Sequence, residues 1–185
     1  PDVWKELRGK LLPLWKDKEE LHIWHSGCST GQEVYSMMMV LDDLNMLEKS
    51  HIYASDLRIS ALETASRGIY KYSFNQSYLE NFNQVILRGN GEINPGHKKH
   101  WNKFFEVDEP YDAIRMNKFL CAKPVYKKLD LVKDPNLFMA KFDLIVCRNV
   151  IIYFNYELQN RVFDLFYKNL IDDGVLLLGV HESII

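Results

Sequence analysis

The sequence predicts an α/β fold in which helices flank a doubly wound, mainly parallel, open sheet. Five apolar segments suited to strands alternate along the chain with segments of helical periodicity. Two of these segments, 142–147 and 174–180, are almost continuously apolar, as in strands that are buried on both faces of a parallel sheet. This alternation of strands and helices favours right-handed βαβ units.

The predicted strands end at glycine or at polar residues, where the chain can turn. They cover residues 21–24, 51–55, 125–129, 142–147 and 174–180. The predicted helices cover residues 32–45, 60–67 and 157–169. Ser60 is the predicted N-cap of the second helix and Gly68 its C′ residue. Residues 73–124 break the alternation and predict an irregular insertion, with a polar loop at 90–97 and short strands or a hairpin within 111–125.

Length and composition are those of one soluble domain, to which we assign residues 1–185. Hydrophobic residues make up 47% of the chain, charged residues make up 26%, and the net charge is −2. This charge gives no electrostatic reason to expect nucleic acid as a partner. No apolar run approaches the roughly 20 residues that span a bilayer, so we expect no membrane insertion.

The three cysteines, Cys28, Cys121 and Cys147, are too far apart for C-x-x-C chemistry or a zinc site. We therefore expect reduced thiols in a cytoplasmic protein, and we expect that protein to be a monomer. The run from His97 to His100 has the composition of a metal-binding tract, but we interpret it as a solvated basic loop. No metal site is predicted.

The segment from Gly27 to Gly31 joins the first predicted strand to the first predicted helix, where open α/β sheets bind ligands. Glycines there allow a tight turn and a close approach of backbone to ligand. The spacing is G-x-x-x-G, whereas a dinucleotide site needs G-x-G-x-x-G to hold a pyrophosphate, so an NAD site is not favoured. S-adenosylmethionine carries no phosphate and tolerates a looser glycine loop.

A serine hydrolase is the second interpretation of this loop. Residues 27–31 match G-x-S-x-G between a strand and a helix, with Ser29 as the nucleophile. Asp130 or Asp143, and then His181, follow in the chain order of a hydrolase triad. However, only one strand precedes Ser29, which leaves no place for the oxyanion-hole segment. A glycine turn without a ligand is the third interpretation.

Acidic residues end the second and third predicted strands. Asp56 lies 25 residues after Gly31, close to the spacing of about 20 at which an acid accepts the ribose hydroxyls of a nucleoside. A helix N-cap or a turn is its alternative role, but the glycine loop favours the ribose. Asp130 is placed to accept a hydrogen bond from the adenine amine, and a capping role before Leu131 is equally compatible with the sequence.

Polar residues also follow the fourth predicted strand. Arg148 and Asn149 come directly after 142–147, at the mouth of the predicted cleft, where they would face a ligand or an acceptor. Tyr153 lies four residues beyond Asn149 and can project its hydroxyl toward a reacting centre, although most such tyrosines are packing residues.

Several sequence blocks resemble the CheR-type chemotaxis receptor methyltransferases. Residues 23–36, which read Ile-Trp-His-Ser-Gly-Cys-Ser-Thr-Gly-Gln-Glu-Val-Tyr-Ser, resemble the cofactor loop of that family. Residues 54–56 and 61–70 resemble its second strand and the following helix. Residues 142–154 are similar to its fourth-strand motif, and 172–183 to its fifth strand. The blocks keep their order over nearly the whole chain.

The resemblance implies a class I, Rossmann-like methyltransferase that uses S-adenosylmethionine and releases S-adenosylhomocysteine. Its implied substrates are glutamate side chains of methyl-accepting chemotaxis receptors, which become methyl esters. The residues implied to bind the cofactor are Gly27, Ser29, Thr30, Gly31, Glu33, Asp56, Asp130, Leu131, Arg148 and Asn149. Among them Glu33 is assigned to the amino-acid end and Asp56 to the ribose. Asp130 and Leu131 are assigned to adenine, where many members of the family have Asn in place of the aspartate. The predicted catalytic residues are Arg148 and Tyr153.

The chain also departs from the family pattern. The resemblance implies that Pro1 lies just after an N-terminal helical domain, and that the chain stops before the sixth and seventh strands. Gln32 and Val34 stand where the family commonly has Glu and Pro. The insertion at 73–124 occupies the place of a β-subdomain that docks a receptor tail in some members. A non-catalytic module that holds S-adenosylmethionine or S-adenosylhomocysteine is therefore the alternative function.

Overall fold

The computed structural model describes residues 2–87, 100–135 and 138–183. Its strands are β1 (Leu21–Ser26), β2 (Ser50–Asp56), β3 (Ile69–Lys71), β4 (Phe105–Asp108), β5 (Ala113–Met116), β6 (Val125–Lys128), β7 (Phe142–Cys147) and β8 (Leu170–Leu178). Its α-helices are α1 (Asp2–Glu6), α2 (Gln32–Asp43), α3 (Ile59–Arg67), α4 (Tyr72–Phe82), α5 (Lys118–Cys121) and α6 (Tyr156–Asn169).

Five strands form a parallel sheet in the order β6-β2-β1-β7-β8. Counted within this sheet along the chain, the order is 3-2-1-4-5, the arrangement of doubly wound folds. The direction of progression reverses between β1 and β7, and such a reversal opens a crevice beyond the carboxyl ends of the two strands. The fold class that the sequence predicts is therefore confirmed, and the predicted fourth strand coincides with β7 residue for residue.

The two most apolar strands differ in burial. All six residues of β7 are buried, as expected for a central strand. Each of the nine residues of β8 is intermediate or exposed, so the expectation that this strand is buried on both faces is wrong. Its only strand neighbour among the described residues is β7. It also begins at Leu170, four residues before the predicted start.

The core of the large sheet is aromatic and centres on Trp24. This fully buried ring makes edge contacts with Phe166 and Phe138 and a tilted contact with Phe142, with ring centroids 5.2 to 5.9 Å apart. Such pairs contribute about 0.5–1.5 kcal/mol beyond the area that they bury. Its indole nitrogen donates a hydrogen bond to Ser55 Oγ at 2.9 Å, which satisfies the one polar group of the ring.

The helices follow the predicted periodicity, with one error at a terminus. Met37, Met38 and Leu41 on α2 are fully buried, as their helical spacing predicts. The first intrahelical hydrogen bonds of α3 run to the Arg58 carbonyl, so Arg58 is the N-cap residue. The predicted cap at Ser60 is therefore wrong.

The insertion contains a three-stranded antiparallel sheet in the order β3-β5-β4. A small β element was predicted here, but its hairpin begins at Phe105, before the predicted range, and the helix α4 was not predicted. Gly68, which precedes β3, has φ +61°, as predicted for a C′ glycine. A Cβ at this position would lie 2.8 Å from both Cys121 Sγ and the Tyr35 hydroxyl. The predicted polar loop at 90–97 lies outside the described residues.

Contacts divide the chain into two compact units. The first contains Pro1–Glu19, Tyr35–Lys49 and Arg67–Ala122; the second contains Glu20–Val34, Ser50–Ser66 and Lys123–Ile185. In the first unit, Lys49 Nζ donates to three backbone carbonyls near the N-terminus, at 2.6 to 3.0 Å. The second unit holds the whole parallel sheet. The assignment of residues 1–185 to one domain stays a prediction.

The described residues contain no helix with the length and hydropathy needed to cross a bilayer.

The buried Trp24–Ser55 hydrogen bond gives a testable prediction for stability. We expect Trp24→Phe and Ser55→Ala each to lower the free energy of unfolding by about 1–3 kcal/mol, because each leaves a buried polar atom unpaired or a small void. The loss of unfolding free energy in the double variant should be about 1 kcal/mol smaller than the sum of the losses in the two single variants. Urea unfolding of the four proteins measures this coupling. Ser66→Ala on the exposed side of α3 serves as the control, with an expected change below about 0.5 kcal/mol.

Candidate functional site

The loop after β1 is shaped by left-handed backbone at three positions. Gly27, Ser29 and Gly31 have φ of +72°, +50° and +87°. A Cβ on Gly27 would overlap Cγ2 of Val150, so only glycine lets the loops after β1 and β7 approach this closely. The Cys28 N–H donates to the Ser55 carbonyl at 2.8 Å, which ties the loop to the neighbouring strand β2.

Asp56 at the end of β2 closes this loop from the other side. Its carboxylate accepts the Ser29 N–H at 2.8 Å through one oxygen and the Arg58 N–H at 2.9 Å through the other. Arg58 in turn donates a guanidinium N–H to Ser29 Oγ at 3.2 Å. The turn role that the sequence left open for Asp56 is thus present. Each carboxylate oxygen keeps capacity for a further hydrogen bond.

Glu33 and Arg148 form an ion pair across the crevice between β1 and β7. Arg148 donates to Glu33 Oε2 at 2.8 Å, and each side chain is about a quarter exposed. On the inner side, His25 Nδ1 lies 3.5 Å from Glu33 Oε1, and the imidazole is fully buried. Burial raises the pKa of Glu33, but the nearby His25 and the hydrogen-bonded guanidinium of Arg148 outweigh it and hold that pKa below its ordinary value.

The loop after β7 is held by a second carboxylate. Glu182 accepts four backbone N–H groups, from Gly179 at 2.6 Å, Val150 at 2.8 Å, Asn149 at 2.9 Å and Ile151 at 3.0 Å. Asn149 has φ +59°, an uncommon conformation that these bonds maintain. The carboxylate therefore fixes the segment that directly follows Arg148.

Two buried thiols lie among these acids. Burial, followed by the charges of Asp56 and Glu33, raises the pKa of Cys28 to about 12. Burial and the charge of Glu182 also raise the pKa of Cys147. Both cysteines are free and remain protonated thiols at neutral pH.

The remaining predicted site residues are Thr30, Asp130, Leu131 and Tyr153, in segments that follow strands of the parallel sheet. Asp130, after β6, accepts the Val132 N–H at 3.0 Å, and its own N–H donates to Asp134. This is the capping arrangement that the sequence allowed, and the adenine role of Asp130 and Leu131 stays a prediction. Thr30 donates to the Gln32 side chain at 2.6 Å. The Tyr153 side chain is 81% exposed, and its catalytic role stays a prediction.

The geometry does not assemble a hydrolase triad from the described residues. The Ser29 hydroxyl accepts from Arg58, and no hydrogen bond joins it to a histidine in the described part of the chain. Asp143 lies near the start of β7, at the opposite edge of the sheet from Ser29, and accepts the His22 N–H at 2.8 Å. Asp130 is engaged in its own turn.

Sequence reasoning missed two residues of this cluster. His25 supports Glu33 from inside the sheet, and its position within a short apolar strand was the available signal, since a buried histidine there needs a polar neighbour. Glu182 lies close to the end of the sequence, where no spacing rule connects it to the loop that it caps. Only the parallel pairing of β7 with β8 brings these two segments together.

Comparisons with known proteins identify a family for the chain. The sequence pattern of the family described as CheR methyltransferase, SAM binding domain, matches residues 1–185. A Pseudomonas putida protein named Cher3 is 32% identical over 184 residues, which are 100% of this chain and 62% of that protein. The chemotaxis protein methyltransferase of Borreliella burgdorferi is 31% identical over 188 residues, with 96% and 60% covered. The chain thus spans about 60% of the length of these curated relatives.

A comparison with solved structures supports the fold. The glycopeptide N-methyltransferase MtfA, solved with S-adenosylmethionine, superposes with a TM-score of 0.51 at 10% identity, over 95% of this chain and 53% of that one. At this identity the likeness concerns the fold alone. The match of the family pattern over all 185 residues confirms the resemblance stated from the sequence: the chain belongs to the CheR methyltransferase family and comprises its S-adenosylmethionine-binding domain.

Proposed function

We propose that this chain is the core of an enzyme that methylates glutamate side chains of chemotaxis receptors, and that it holds its cofactor beyond the carboxyl ends of β1, β2 and β7. The observation that carries the proposal is the Glu33–Arg148 ion pair, which spans the crevice where the strand order reverses. The names of the relatives from Borreliella burgdorferi and Vibrio cholerae support the link to chemotaxis.

The paired charges fit the amino-acid end of S-adenosylmethionine. That end carries an ammonium and a carboxylate, so an acid and a guanidinium side by side can meet both groups. Glu33 and Arg148 each keep about a quarter of the side chain exposed, which leaves them accessible from the crevice. We therefore assign the ammonium to Glu33 and the carboxylate to Arg148. Because the pKa of Glu33 is lowered, the group is a carboxylate at neutral pH.

The nucleoside end is assigned to Asp56 and the loop around it. The Asp56 carboxylate already organises the loop through the Ser29 and Arg58 N–H groups, and its free lone pairs can accept the two ribose hydroxyls. The backbone of Gly27 and Gly31 lines the approach. Asp130 and Leu131 at the end of β6 would meet adenine, and Asn149 would line the cofactor beside Arg148.

The main task of the protein in the proposed methyl transfer is to position the two reactants. S-adenosylmethionine supplies a methyl group on a sulfonium, which is itself the leaving group. A glutamate acceptor, with a reference pKa near 4.3, is ionised at neutral pH and needs no general base. The side chains would hold the acceptor in line and exclude water. Tyr153, exposed at this edge, is the candidate to contact the acceptor. The three free thiols support the cytoplasmic location that the sequence predicts.

Titration calorimetry with S-adenosylhomocysteine tests the site directly. The wild-type chain should bind with micromolar affinity, about −8 kcal/mol. Asp56→Ala should bind at least about tenfold more weakly, because it removes the acceptor of the ribose hydroxyls and frees the loop, a loss of about 1.4 kcal/mol or more. Asp164→Ala, on the exposed face of α6, is the matched control and should bind like wild type.

Equal affinity in Asp56→Ala and wild type would refute the ribose assignment. The enzymatic proposal has a separate test, in which S-adenosylmethionine is supplied with isolated receptor cytoplasmic domains and methyl ester formation is measured. Suppose that S-adenosylhomocysteine binds but no methyl ester forms, both in this chain and in a longer protein that contains it. The chain would then be a non-catalytic module that holds the cofactor.

The lowered pKa of Glu33 predicts a pH-dependent contribution to stability. A carboxyl group whose pKa is lower in the folded than in the unfolded state stabilises the fold above its ordinary pKa of 4.5, and this contribution is lost as the pH falls through the folded value. We expect Glu33→Gln to cost about 1–3 kcal/mol at pH 7, where Arg148 loses a charged partner. The difference from wild type should shrink as the pH falls below 4.5.

Urea unfolding of both proteins between pH 3 and pH 7 measures this difference. Glu157→Gln, which removes an exposed pair with Arg161 on α6, is the control and should change stability little at any pH. A Glu33→Gln cost that stays constant down to pH 3 would contradict the proposed charge pairing.

Glu182 is predicted to position the loop that carries Arg148. In Glu182→Gln one carboxylate oxygen becomes an NH₂ group, which would face N–H donors that it cannot satisfy. We expect a loss of about 2 kcal/mol in stability, together with weaker binding of S-adenosylhomocysteine by calorimetry. Glu157→Gln again provides the control. Full affinity in a well-folded Glu182→Gln protein would show that the loop holds its shape without this carboxylate.

A further inference from the structure

A second cluster of ligating side chains lies at the amino-terminal ends of β1 and β2. His22 and His51 are register partners on these adjacent parallel strands, so their side chains leave the same face of the sheet. Their rings stack with centroids 4.6 Å apart and an interplanar angle of 13°. Both rings turn Nε2 toward Glu20, which precedes β1: His22 Nε2 lies 3.4 Å from Oε2 and His51 Nε2 lies 3.7 Å from Oε1.

We propose that Glu20, His22 and His51 form a binding site for a divalent transition-metal ion, with Zn²⁺ as the ion that the ligand set fits best. One ligand atom from each residue lies within 4.8 Å of the other two. Tetrahedral ligands at about 2.0–2.1 Å from Zn²⁺ are about 3.3 Å apart. The spacing between His22 and Glu20 already matches this value. The His51 ring, which is stacked on His22, must rotate to aim its Nε2 lone pair at the same ion, and its 47% exposed side chain leaves room for that rotation.

The surroundings of His22 favour this assignment. Its other ring nitrogen, Nδ1, lies 3.4 Å from the Tyr53 hydroxyl. Histidines that bind metals typically donate their second ring N–H to an oxygen acceptor, which leaves a lone pair on the ligating nitrogen. The Tyr53 hydroxyl oxygen is placed to be that acceptor for His22.

The site is open on one side. The side chains of Glu20, His51 and His22 are 67%, 47% and 26% exposed, which leaves a route for the ion and room for a water as fourth ligand. Two imidazoles and one carboxylate with an open position are a recurrent zinc ligand set.

The position of the cluster separates it from the proposed cofactor site. His22 precedes Gly27 by five residues of extended chain, about 16 Å at roughly 3.3 Å per residue, and thus lies at the opposite edge of the sheet. A metal ion bound here would link β1 to β2 near their amino-terminal ends, away from the loop proposed to hold the cofactor. Its effect would be on the stability of the sheet and not on methyl transfer.

Calorimetric titration of ZnCl₂ into chelator-treated protein tests the proposal. We expect one ion per chain with a micromolar Kd. His51→Gln and Glu20→Gln should each weaken binding at least tenfold, and both positions are exposed enough to be replaced without loss of folding. Glu19→Gln, an exposed acid next to the site, is the matched control and should bind like wild type. Zn²⁺ should also raise the unfolding temperature of the wild type and of Glu19→Gln, but not of His51→Gln.

Cobalt provides a spectroscopic test of the ligand set. Co²⁺ added to the wild type should give the visible absorption of a tetrahedral site with nitrogen and oxygen ligands, and His51→Gln should abolish it. Absence of zinc binding would overturn the proposal. Binding that persists at full strength in both His51→Gln and Glu20→Gln would also overturn it, because the ion would then sit on other residues such as the free cysteines.

Discussion

In the large sheet, β1 is hydrogen-bonded to β2 on one side and to β7 on the other, and all three strands run parallel. The carboxyl ends of adjacent parallel strands lie at the same edge of the sheet. The segments that follow these strands therefore lie close together, however far apart they are in the sequence. Glu33 and Arg148 are 115 residues apart and form a 2.8 Å contact for this reason. The close approach of the two loops then requires glycine at position 27, because any side chain there would overlap Val150.

The same edge concentrates carboxylates, and each of them is compensated locally. Glu182 accepts four backbone N–H groups, Asp56 accepts two, and Glu33 is paired with Arg148. Without such partners, a partly buried carboxylate would take up a proton instead of staying charged. The three acids outnumber the two guanidinium groups at this edge, those of Arg58 and Arg148, and this balance disfavours a pyrophosphate. The charge balance and the G-x-x-x-G spacing of the loop therefore both argue against a dinucleotide as ligand.

The parts of the structure that could be predicted are those fixed by local pattern. The apolar run that becomes β7 and the buried face of α2 follow from periodicity alone. The position of Asp56 at the end of a strand that borders the glycine loop was predicted from the sequence, and its ribose role stays a prediction. His25 and Glu182 could not be assigned roles, because each acts through a contact that exists only after the strands have paired. Asp130 shows a further limit. The sequence permitted both a capping role and a ligand contact, and the structure shows the capping hydrogen bond, which is compatible with a ligand contact as well.

The acids that we propose to surround the cofactor also raise the pKa of two neighbouring thiols. A thiolate is a far stronger nucleophile than a carboxylate, and Cys28 lies within the very loop proposed to hold the methyl donor. Burial comes first in raising its pKa, and the charges of Asp56 and Glu33 raise it further, to about 12, so the thiol stays protonated. Cys147 is kept protonated by burial and by Glu182 in the same way. In the proposed function, the carboxylate of an incoming glutamate is a weaker nucleophile than a thiolate, but it is ionised at neutral pH. On that proposal, selectivity for the acceptor would follow from keeping the two thiols protonated as well as from positioning the substrate.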